Sequence, residues 1–146
     1  MKISSPAFLN NAFIPSKYTC DGKNISPPLL LENIPVEAKS LAIICDDPDA
    51  PVGTFVHWVI FNIPVNIAEI PEAIPTIDML GNGSVQGIND YKITGYGGPC
   101  PPSGTHRYFF KLYALDAKLN LKARATKAQV EDAISGHIIS KTELIG

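Results

Sequence analysis

Charged residues are scarce in this sequence of 146 residues, in which Asp, Glu, Lys and Arg together make up only 18%. Ordinary globular proteins carry about 25%. Twelve basic residues stand against 14 acidic ones, so the net charge is −2. Without a basic excess the chain has no large positive field to attract a phosphate backbone. We therefore expect no nucleic-acid partner.

Long apolar runs are missing as well. No stretch approaches the roughly 18 residues that a membrane span requires. The first residues, MKISSPAFLN, contain one lysine but no apolar segment ahead of Pro6 of the kind found in a secretory signal. These absences predict no transmembrane segment and a cytoplasmic location.

Cysteine is rare, and Cys20, Cys45 and Cys100 are widely spaced, with no CxxC or Cys/His cluster. This spacing excludes a zinc finger, and a disulfide-rich scaffold is not expected from three cysteines. One disulfide is still compatible with the count. The sequence leaves open which cysteines, if any, would form it.

Proline and hydrophobic residues, by contrast, are plentiful. Thirteen prolines in 146 residues are about 9%, nearly double the usual ~5%, and together with 11 glycines they exclude a long all-helical architecture. Hydrophobic residues make up 45% of the chain, with no internal repeat or charge block. We predict one domain over 1–146, mainly β, with long proline-rich connections.

Apolar runs of strand length, bounded by Pro, Gly or Asp, predict strands at 41–45, 55–63 and 107–115. The run 85–96 predicts two shorter ones. Three prolines recur within 64–79, which predicts an extended connection over the surface. Such long excursions favour Greek-key wiring over simple hairpins.

One helix is predicted near the C-terminal end. Thr126 and Gln129 form a capping-box pattern. Residues at helical spacing then form one mainly apolar stripe for packing on a sheet, namely Val130, Ala133, Ile134, His137 and Ile138. Because glycine destabilises a helix interior by up to about 1 kcal/mol relative to alanine, the helix is expected to weaken or end near Gly136.

Two aspartates directly follow the first predicted strand. The segment CDDPDAP delivers Asp47 and Asp49 at the end of that strand, on a turn stiffened by proline. Both carboxylates are candidates for binding chemistry. The alternative is that they only shape the turn.

A histidine is embedded in the next predicted strand. Simple alternation would place His57 on the same face as Phe55, Val59 and Phe61, and the opposite face is also apolar, so the strand is predicted to be central. A buried histidine must find a partner for each ring nitrogen. That partner is either a structural acceptor or a ligand, and His57 alone does not decide between them.

A second polar cluster follows the segment GYGGPCPPSG, which packs four glycines and three prolines into positions 95–104. Alternation places His106 and Tyr108 at the entry of the following strand, where they would line the mouth of an apolar pocket. Gly97 and Gly98 would let backbone amides approach a small anion such as phosphate or carboxylate. A rigid turn with a core tyrosine is the alternative.

These segments resemble the phosphatidylethanolamine-binding protein family, in its prokaryotic, Raf-kinase-inhibitor-like branch. The specific motifs are DPDAP, then HW after a very short spacer, then GPCPPSGTHRY. The resemblance extends over nearly the whole chain, because SPAF, IPSKYTCDGKNISPPL, FNIP and the closing GHIISKTELIG are also similar to that branch.

The resemblance implies an antiparallel Greek-key β-sandwich with one C-terminal helix and a small pocket for phosphate or a phospholipid headgroup. Matched motif by motif, the pocket residues are Asp47, Pro48, His57, Gly98, Pro99, His106 and Tyr108. Asp47 would orient an imidazole, the two histidines and Tyr108 would donate to the anion, and the glycine loop would shape the wall.

The leading hypothesis is a non-enzymatic binding module, without cofactor or metal, that regulates a kinase or protease through protein contacts. The short spacer between DPDAP and HW does not reproduce the partner surface of eukaryotic members. Pairing of two copies is a further expectation, because relatives of this branch are often dimeric. The alternative is an enzyme, in which Asp47, His57 and His106 hold a metal or Cys100 acts as a nucleophile with His106 as its base.

Overall fold

The computed structural model describes residues 1–51, 53–101 and 104–146, and these form two antiparallel β-sheets and a helix. Pro102 and Ser103 of the predicted glycine- and proline-rich loop lie outside the described residues. The strands are β1 (Lys2–Ser4), β2 (Leu29–Glu32), β3 (Ser40–Asp47), β4 (Phe55–Ile63), β5 (Glu69–Ile70), β6 (Val85–Gln86), β7 (Phe109–Leu115) and β8 (Ile138–Ile145), and the helix is α1 (Lys127–Ile134).

The larger sheet has the strand order β6-β4-β3-β7-β8, and the smaller one has the order β1-β2-β5. After β6 the chain leaves one edge of the larger sheet and returns at β7, on the far side of β3. This connection is not a hairpin, as expected for the predicted Greek-key wiring. The mainly β architecture with two antiparallel sheets and one helix confirms the predicted fold class.

The three strongest strand predictions are confirmed as β3, β4 and β7, and β4 is central, between β6 and β3. The run 85–96 is confirmed in part, as β6 and an isolated bridge between Ile88 and Thr94. The sequence missed β1, β2, β5 and β8. Three of these are only two to four residues long, and β8 is largely exposed, so none carries a strong apolar pattern.

Both faces of β3 are covered, which explains why the five residues 41–45 of this strand are all apolar. Leu41, Ile43 and Cys45 face the core between the two sheets, together with Phe110. Ala42 and Ile44 face a second core, together with buried residues of α1. The strand then ends on two aspartates that are buried as well, Asp46 and Asp47.

The helix begins as predicted. The Thr126 hydroxyl accepts a hydrogen bond from the Gln129 amide, and the Gln129 side chain accepts one from the Thr126 amide. The helix ends at Ile134, close to the expected stop at Gly136, whose positive φ of 82° is not helical. The last two residues of the predicted stripe, His137 and Ile138, therefore lie beyond the helix. Ile138 already belongs to β8.

No helix among the described residues combines the length and apolar character that a membrane span needs.

Candidate functional site

A small cavity of about 210 Å³ lies where the end of β3 and the beginning of β4 meet the segments around Tyr91, Pro101 and His106. Its wall is a mixture of aromatic, proline and titratable side chains, contributed by Asp47, Ala50, Pro51, Phe55, His57, Tyr91, Cys100, Pro101, His106 and Tyr108. Of the seven residues predicted for the site, four line this cavity. They are Asp47, His57, His106 and Tyr108.

Asp47 holds the imidazole of His106 in one orientation. The Nδ1 atom of His106 lies 2.7 Å from Oδ2 of Asp47, and the other carboxylate oxygen accepts the backbone N–H of Asp49 at 2.7 Å. Because an ionised carboxylate only accepts, Nδ1 carries the hydrogen and Nε2 is left for a ligand. The Asp47 side chain is 4% exposed and that of His106 10%, so this pair is shielded from water.

His57 is held by a backbone carbonyl instead. Its Nδ1 atom lies 2.7 Å from the carbonyl oxygen of Gly97, which can only accept, so Nδ1 again carries the hydrogen. Burial lowers the pKa of His57 below its ordinary value of 6.5, against the opposing effects of the Gly97 carbonyl and of Asp47. The imidazole is therefore neutral at neutral pH and has a lone pair on Nε2.

The orientation of His57 differs from the alternation predicted for its strand. Cys45 pairs with Trp58 and Asp46 with Val56, so the register shifts at His57, which has no partner on β3. This β-bulge breaks the period of two. As a result His57 does not pack with Val59 and Phe61. Its ring contacts those of Phe55, Tyr91 and Tyr108 in the cavity, with centroid distances of 5.0, 5.7 and 5.2 Å.

The hydroxyl of Tyr108 is buried and has no hydrogen-bond partner among the described residues. Burial is the main cause that raises its pKa well above the ordinary value, so the hydroxyl keeps its hydrogen at neutral pH. The ring stacks on that of His106, at a centroid distance of 6.5 Å. A buried polar atom without a partner is uncommon in folded proteins, and here it belongs to the wall of a cavity.

The expected binding role of the glycine amides is wrong. The Gly97 amide donates to the carbonyl oxygen of His57 at 2.9 Å, and the Gly98 amide donates to Oδ1 of Asn24 at 2.8 Å. Both donors are therefore already used within the protein. A side chain at Gly98 would overlap the backbone of Tyr18, so this glycine permits the close packing of two loops. Neither Gly98 nor Pro48 is among the residues that line the cavity.

Cys100 is joined to Cys20 by a disulfide, with 5.4 Å between the two Cα atoms. The alternative in which Cys100 is a free nucleophile is therefore wrong for this oxidised protein, because the thiolate is the reactive form. The third cysteine, Cys45, is buried and free. Disulfides are typical of oxidising compartments and of intracellular proteins from hyperthermophiles, so the cytoplasmic location stays a prediction.

The described residues also do not form the alternative metal site of Asp47, His57 and His106. Among them, no group of three His, Cys, Asp or Glu side chains is placed to hold one metal ion. Asp47 directs one of its oxygens to the imidazole of His106, at 2.7 Å.

Arg107 and Asp49 connect two segments of the site, a link that the sequence did not predict. Oδ2 of Asp49 accepts the backbone N–H and the Nε–H of Arg107, both at 2.9 Å, and Oδ1 accepts from Nη2 at 2.9 Å. These contacts with Arg107 lower the pKa of Asp49 to about 2. The turn that carries Asp47 is thereby tied to the segment that carries His106.

A larger cavity of about 580 Å³ adjoins the small one. Pro101, His106 and Tyr108 line both cavities. The imidazole ring of His106 and the phenol ring of Tyr108 therefore lie at the boundary between the two cavities. Pro99, one of the predicted site residues, lines only the larger cavity. Much of the remaining wall is apolar and includes Phe13, which is 81% exposed.

The chain is similar to known proteins over nearly its whole length. The family model described as "Phosphatidylethanolamine-binding protein" matches residues 4–146. A UPF0098 protein of Methanothermobacter thermautotrophicus is 55% identical over 146 residues, which is 100% of this chain and 97% of that protein. A UPF0098 protein of Pyrococcus horikoshii is 51% identical over 150 residues, which cover 100% of this chain and 75% of the relative.

Two solved structures have the same fold over nearly the whole chain. A homologue of phosphatidylethanolamine-binding protein from Chlamydia trachomatis superposes with a TM-score of 0.91 at 40% identity, covering 99% of this chain and 94% of the other. The YbcL protein of E. coli superposes with a TM-score of 0.90 at 31% identity and the same coverage. YbcL is described as a new member of the mammalian PEBP family.

Proposed function

Because the chain belongs to the phosphatidylethanolamine-binding protein family, we propose that its small cavity binds one small oxyanion, such as inorganic phosphate or the phosphoryl group of a phospholipid headgroup, without turning it over. The observation that carries this proposal is the buried hydroxyl of Tyr108, which has no partner among the described residues. An anion oxygen in the cavity would accept its hydrogen and remove the cost of the unsatisfied group.

The two histidines add further donors when they are protonated. The buried carboxylate of Asp47, 2.7 Å from Nδ1, would balance a positive charge on the His106 ring. His57 is neutral when the cavity holds no anion, since burial lowers its pKa. A bound anion favours the charged form of a nearby imidazole. Anion binding and proton uptake are therefore coupled at this site.

The dimensions of the two cavities fit a phosphoryl group with a substituent. A volume of 210 Å³ is about seven times the ~30 Å³ that one water molecule occupies in the liquid, which is enough for a phosphoryl group. A longer substituent could extend past His106 and Tyr108 into the larger cavity. Phe13, Ile14 and Pro99 offer it an apolar surface there.

The test is a titration of the protein with inorganic phosphate, in which the imidazole resonances of the three histidines are followed by NMR. We expect saturable shifts of His57 and His106, whereas His137 is the internal control, because it lies on the surface and pairs with Asp116. Equal shifts of all three histidines, or none at all, would contradict the proposal. Saturable shifts with zinc but not with phosphate would favour a metal site instead.

Phosphoethanolamine and lipid vesicles distinguish the sources of the phosphoryl group. If a lipid headgroup is the ligand, phosphoethanolamine should compete with phosphate and vesicles containing phosphatidylethanolamine should bind. If the ligand is free phosphate, the vesicles should not bind. Regulation of a kinase or protease, and pairing of two copies, stay predictions from the sequence.

A further inference from the structure

The protein contains two Asp–His pairs of similar geometry in very different surroundings. His106 Nδ1 lies 2.7 Å from Asp47, and His137 Nδ1 lies 2.7 Å from Asp116. The first pair is buried beside a cavity, with side chains 10% and 4% exposed, whereas the second is on the surface at 48% and 53%. The chain thus supplies a buried pair and a matched exposed control.

An imidazole held in this way is a nucleophile. The Nδ1–H of His106 donates to Asp47, so the lone pair resides on Nε2, and the carboxylate stabilises the positive charge that the ring gains when Nε2 forms a bond. Among the described residues that line the small cavity there is no serine or threonine, and Cys100 is held in a disulfide.

Burial raises the pKa of Tyr91 and Tyr108, so both phenols keep their hydrogen at neutral pH and are weak nucleophiles. Both carboxylate oxygens of Asp47 already accept hydrogen bonds within the protein. The nucleophiles left for a bound phosphoryl group are His106 and His57.

His106 is better placed for this chemistry than His57. A ring that becomes bonded at both nitrogens carries a positive charge, and His106 has the Asp47 carboxylate to balance it. His57 has only the carbonyl of Gly97 on its Nδ1 side, and it lies in surroundings that disfavour its charged form. The hydroxyl of Tyr108, whose ring stacks on His106, supplies a donor for a phosphoryl oxygen.

We propose that His106 is a phosphorylation site, which accepts a phosphoryl group on Nε2 from a small donor of the phosphoramidate class. The Nε2 lone pair attacks phosphorus, an N–P bond forms, and the P–N bond of the donor breaks. The electron pair of that bond leaves with the donor nitrogen, which departs as a neutral amine when it was protonated beforehand. The ring then carries Nδ1–H and Nε2–phosphoryl, and its positive charge is paired with Asp47.

This inference rests on the proposed function in one respect, because the same cavity must admit a phosphoryl group. It adds a stoichiometric modification and no turnover, so it is consistent with a binding module. In the modified protein, the phosphoryl group on His106 would occupy the cavity. Phosphorylation would thereby exclude a free anion from the site.

The experiment exposes the oxidised protein at neutral pH to phosphoramidate and follows modification by intact mass, phosphorus NMR and peptide mapping under alkaline conditions. We expect one added phosphoryl group, labile to acid, on His106. Its formation should be about tenfold or more faster than labelling of His137, because the cavity positions the donor. Inorganic phosphate should slow the labelling of His106 and leave that of His137 unchanged.

Two variants complete the test. Asp47→Asn should slow labelling of His106 about tenfold, since it removes the charge that balances the ring, whereas Asp116→Asn should not change it. Equal rates at His106 and His137 in the unmodified sequence would overturn the inference. If those rates are equal while phosphate still shifts the resonances of His57 and His106, only this inference fails. If phosphate does not bind, the proposed function fails as well.

Discussion

The carboxylate of Asp47 and the imidazole of His106 are 59 positions apart in the sequence and 2.7 Å apart in space. Asp47 reaches this contact because it ends β3, and His106 reaches it because it precedes β7, which pairs with β3. The antiparallel register brings the end of one strand beside the beginning of the other. The core of the sheet thus positions the polar pair at its rim.

Replacing Asp47 with Asn should weaken phosphate binding about tenfold, which corresponds to about 1.4 kcal/mol, because the variant lacks the carboxylate that would balance a positive charge on the His106 ring. The single asparagine oxygen can keep one of the two hydrogen bonds that Asp47 accepts, from His106 Nδ1 or from the Asp49 amide, so we expect a folded protein with a modest loss of stability. The measurement is the dissociation constant from the imidazole titration. Asp116→Asn removes the equivalent carboxylate from His137, and an equal loss of affinity in that variant would contradict the role assigned to Asp47.

Replacing Tyr108 with Phe should lower phosphate affinity without lowering stability. The hydroxyl has no partner among the described residues, so its removal costs no hydrogen bond to any of them. A hydrogen bond to a charged group contributes about 1.5–3 kcal/mol, which predicts an affinity loss of roughly tenfold or more.

The matched control for this variant is Tyr96→Phe. The hydroxyl of Tyr96 donates to the carbonyl oxygen of Tyr18 at 2.6 Å. We expect this variant to lose about 1 kcal/mol of unfolding free energy and to bind phosphate normally. Urea unfolding combined with the phosphate titration separates the two cases. A Tyr108→Phe variant that is destabilised and binds phosphate normally would show that the hydroxyl has a structural partner instead.

Anion affinity should rise as the pH falls below neutrality, because His57 must gain a hydrogen on Nε2 before it can donate to the anion. Burial lowers its pKa, so in the free protein this gain occurs below the ordinary value of 6.5. Sulfate is the suitable probe, since it does not titrate in this range. Saturating sulfate should raise the titration midpoint of the His57 resonance, and an unchanged midpoint would argue against a contact between His57 and the anion.

The same lowered pKa makes stability depend on pH in the opposite direction. Between the folded and unfolded pKa values of His57 the unfolded chain binds more protons, so the free energy of unfolding decreases as the pH falls from about 6.5 through the folded value. Above that range this contribution is fully present. His57→Gln should flatten this part of the curve of stability against pH, and a curve of unchanged slope would assign the effect to other groups.

Reduction of the disulfide between Cys20 and Cys100 should lower the unfolding free energy by about 2–4 kcal/mol, as is typical for such bonds, since it closes a loop over a sequence separation of 80. The paired loops are also joined by hydrogen bonds, including Cys20 N–H to the Pro99 carbonyl at 3.0 Å. The cavity should therefore keep its shape. Unfolding with and without reductant measures the loss, and Cys20→Ser with Cys100→Ser should be insensitive to reductant.

Truncation of Phe110 should cost about 3–5 kcal/mol, because its side chain is fully buried between the two sheets and its removal leaves a cavity. Phe13→Ala is the comparison, since Phe13 is 81% exposed and should change stability by no more than about 0.5 kcal/mol. Urea unfolding of the two variants and of the unmodified protein measures both losses of unfolding free energy. A small loss at Phe110 would mean that the core collapses around the missing ring.

The strands β3, β4 and β7 and the start of α1 were predictable because their signals are local. A run of apolar residues bounded by turn residues marks a strand that is covered on both faces, and the Thr126 capping box acts over three residues. The short strands β1, β2 and β5 have no such signal. They exist because they pair with one another across long stretches of chain, as Ile3 does with Leu31.

The site was predictable in its residue types and less so in its geometry. The motifs brought forward Asp47, His57, His106 and Tyr108, and the structure places all four on one cavity. The alternation that seemed to set the direction of His57 failed because a bulge interrupts it. The two glycine amides that looked available are bonded to groups from His57 and Asn24, and neither partner could be seen from a glycine-rich pattern alone.

The sequence by itself determined the mainly β architecture, the central strands, the cap of the helix and the residues that could carry anion chemistry, because composition, period and motif are properties of neighbouring residues. Only the tertiary structure decided that Cys20 pairs with Cys100. It also decided that His106 is held by Asp47 and that the Tyr108 hydroxyl faces no described partner. These are distances between residues far apart in the chain, and they are set when strand pairing and core packing bring the loops together.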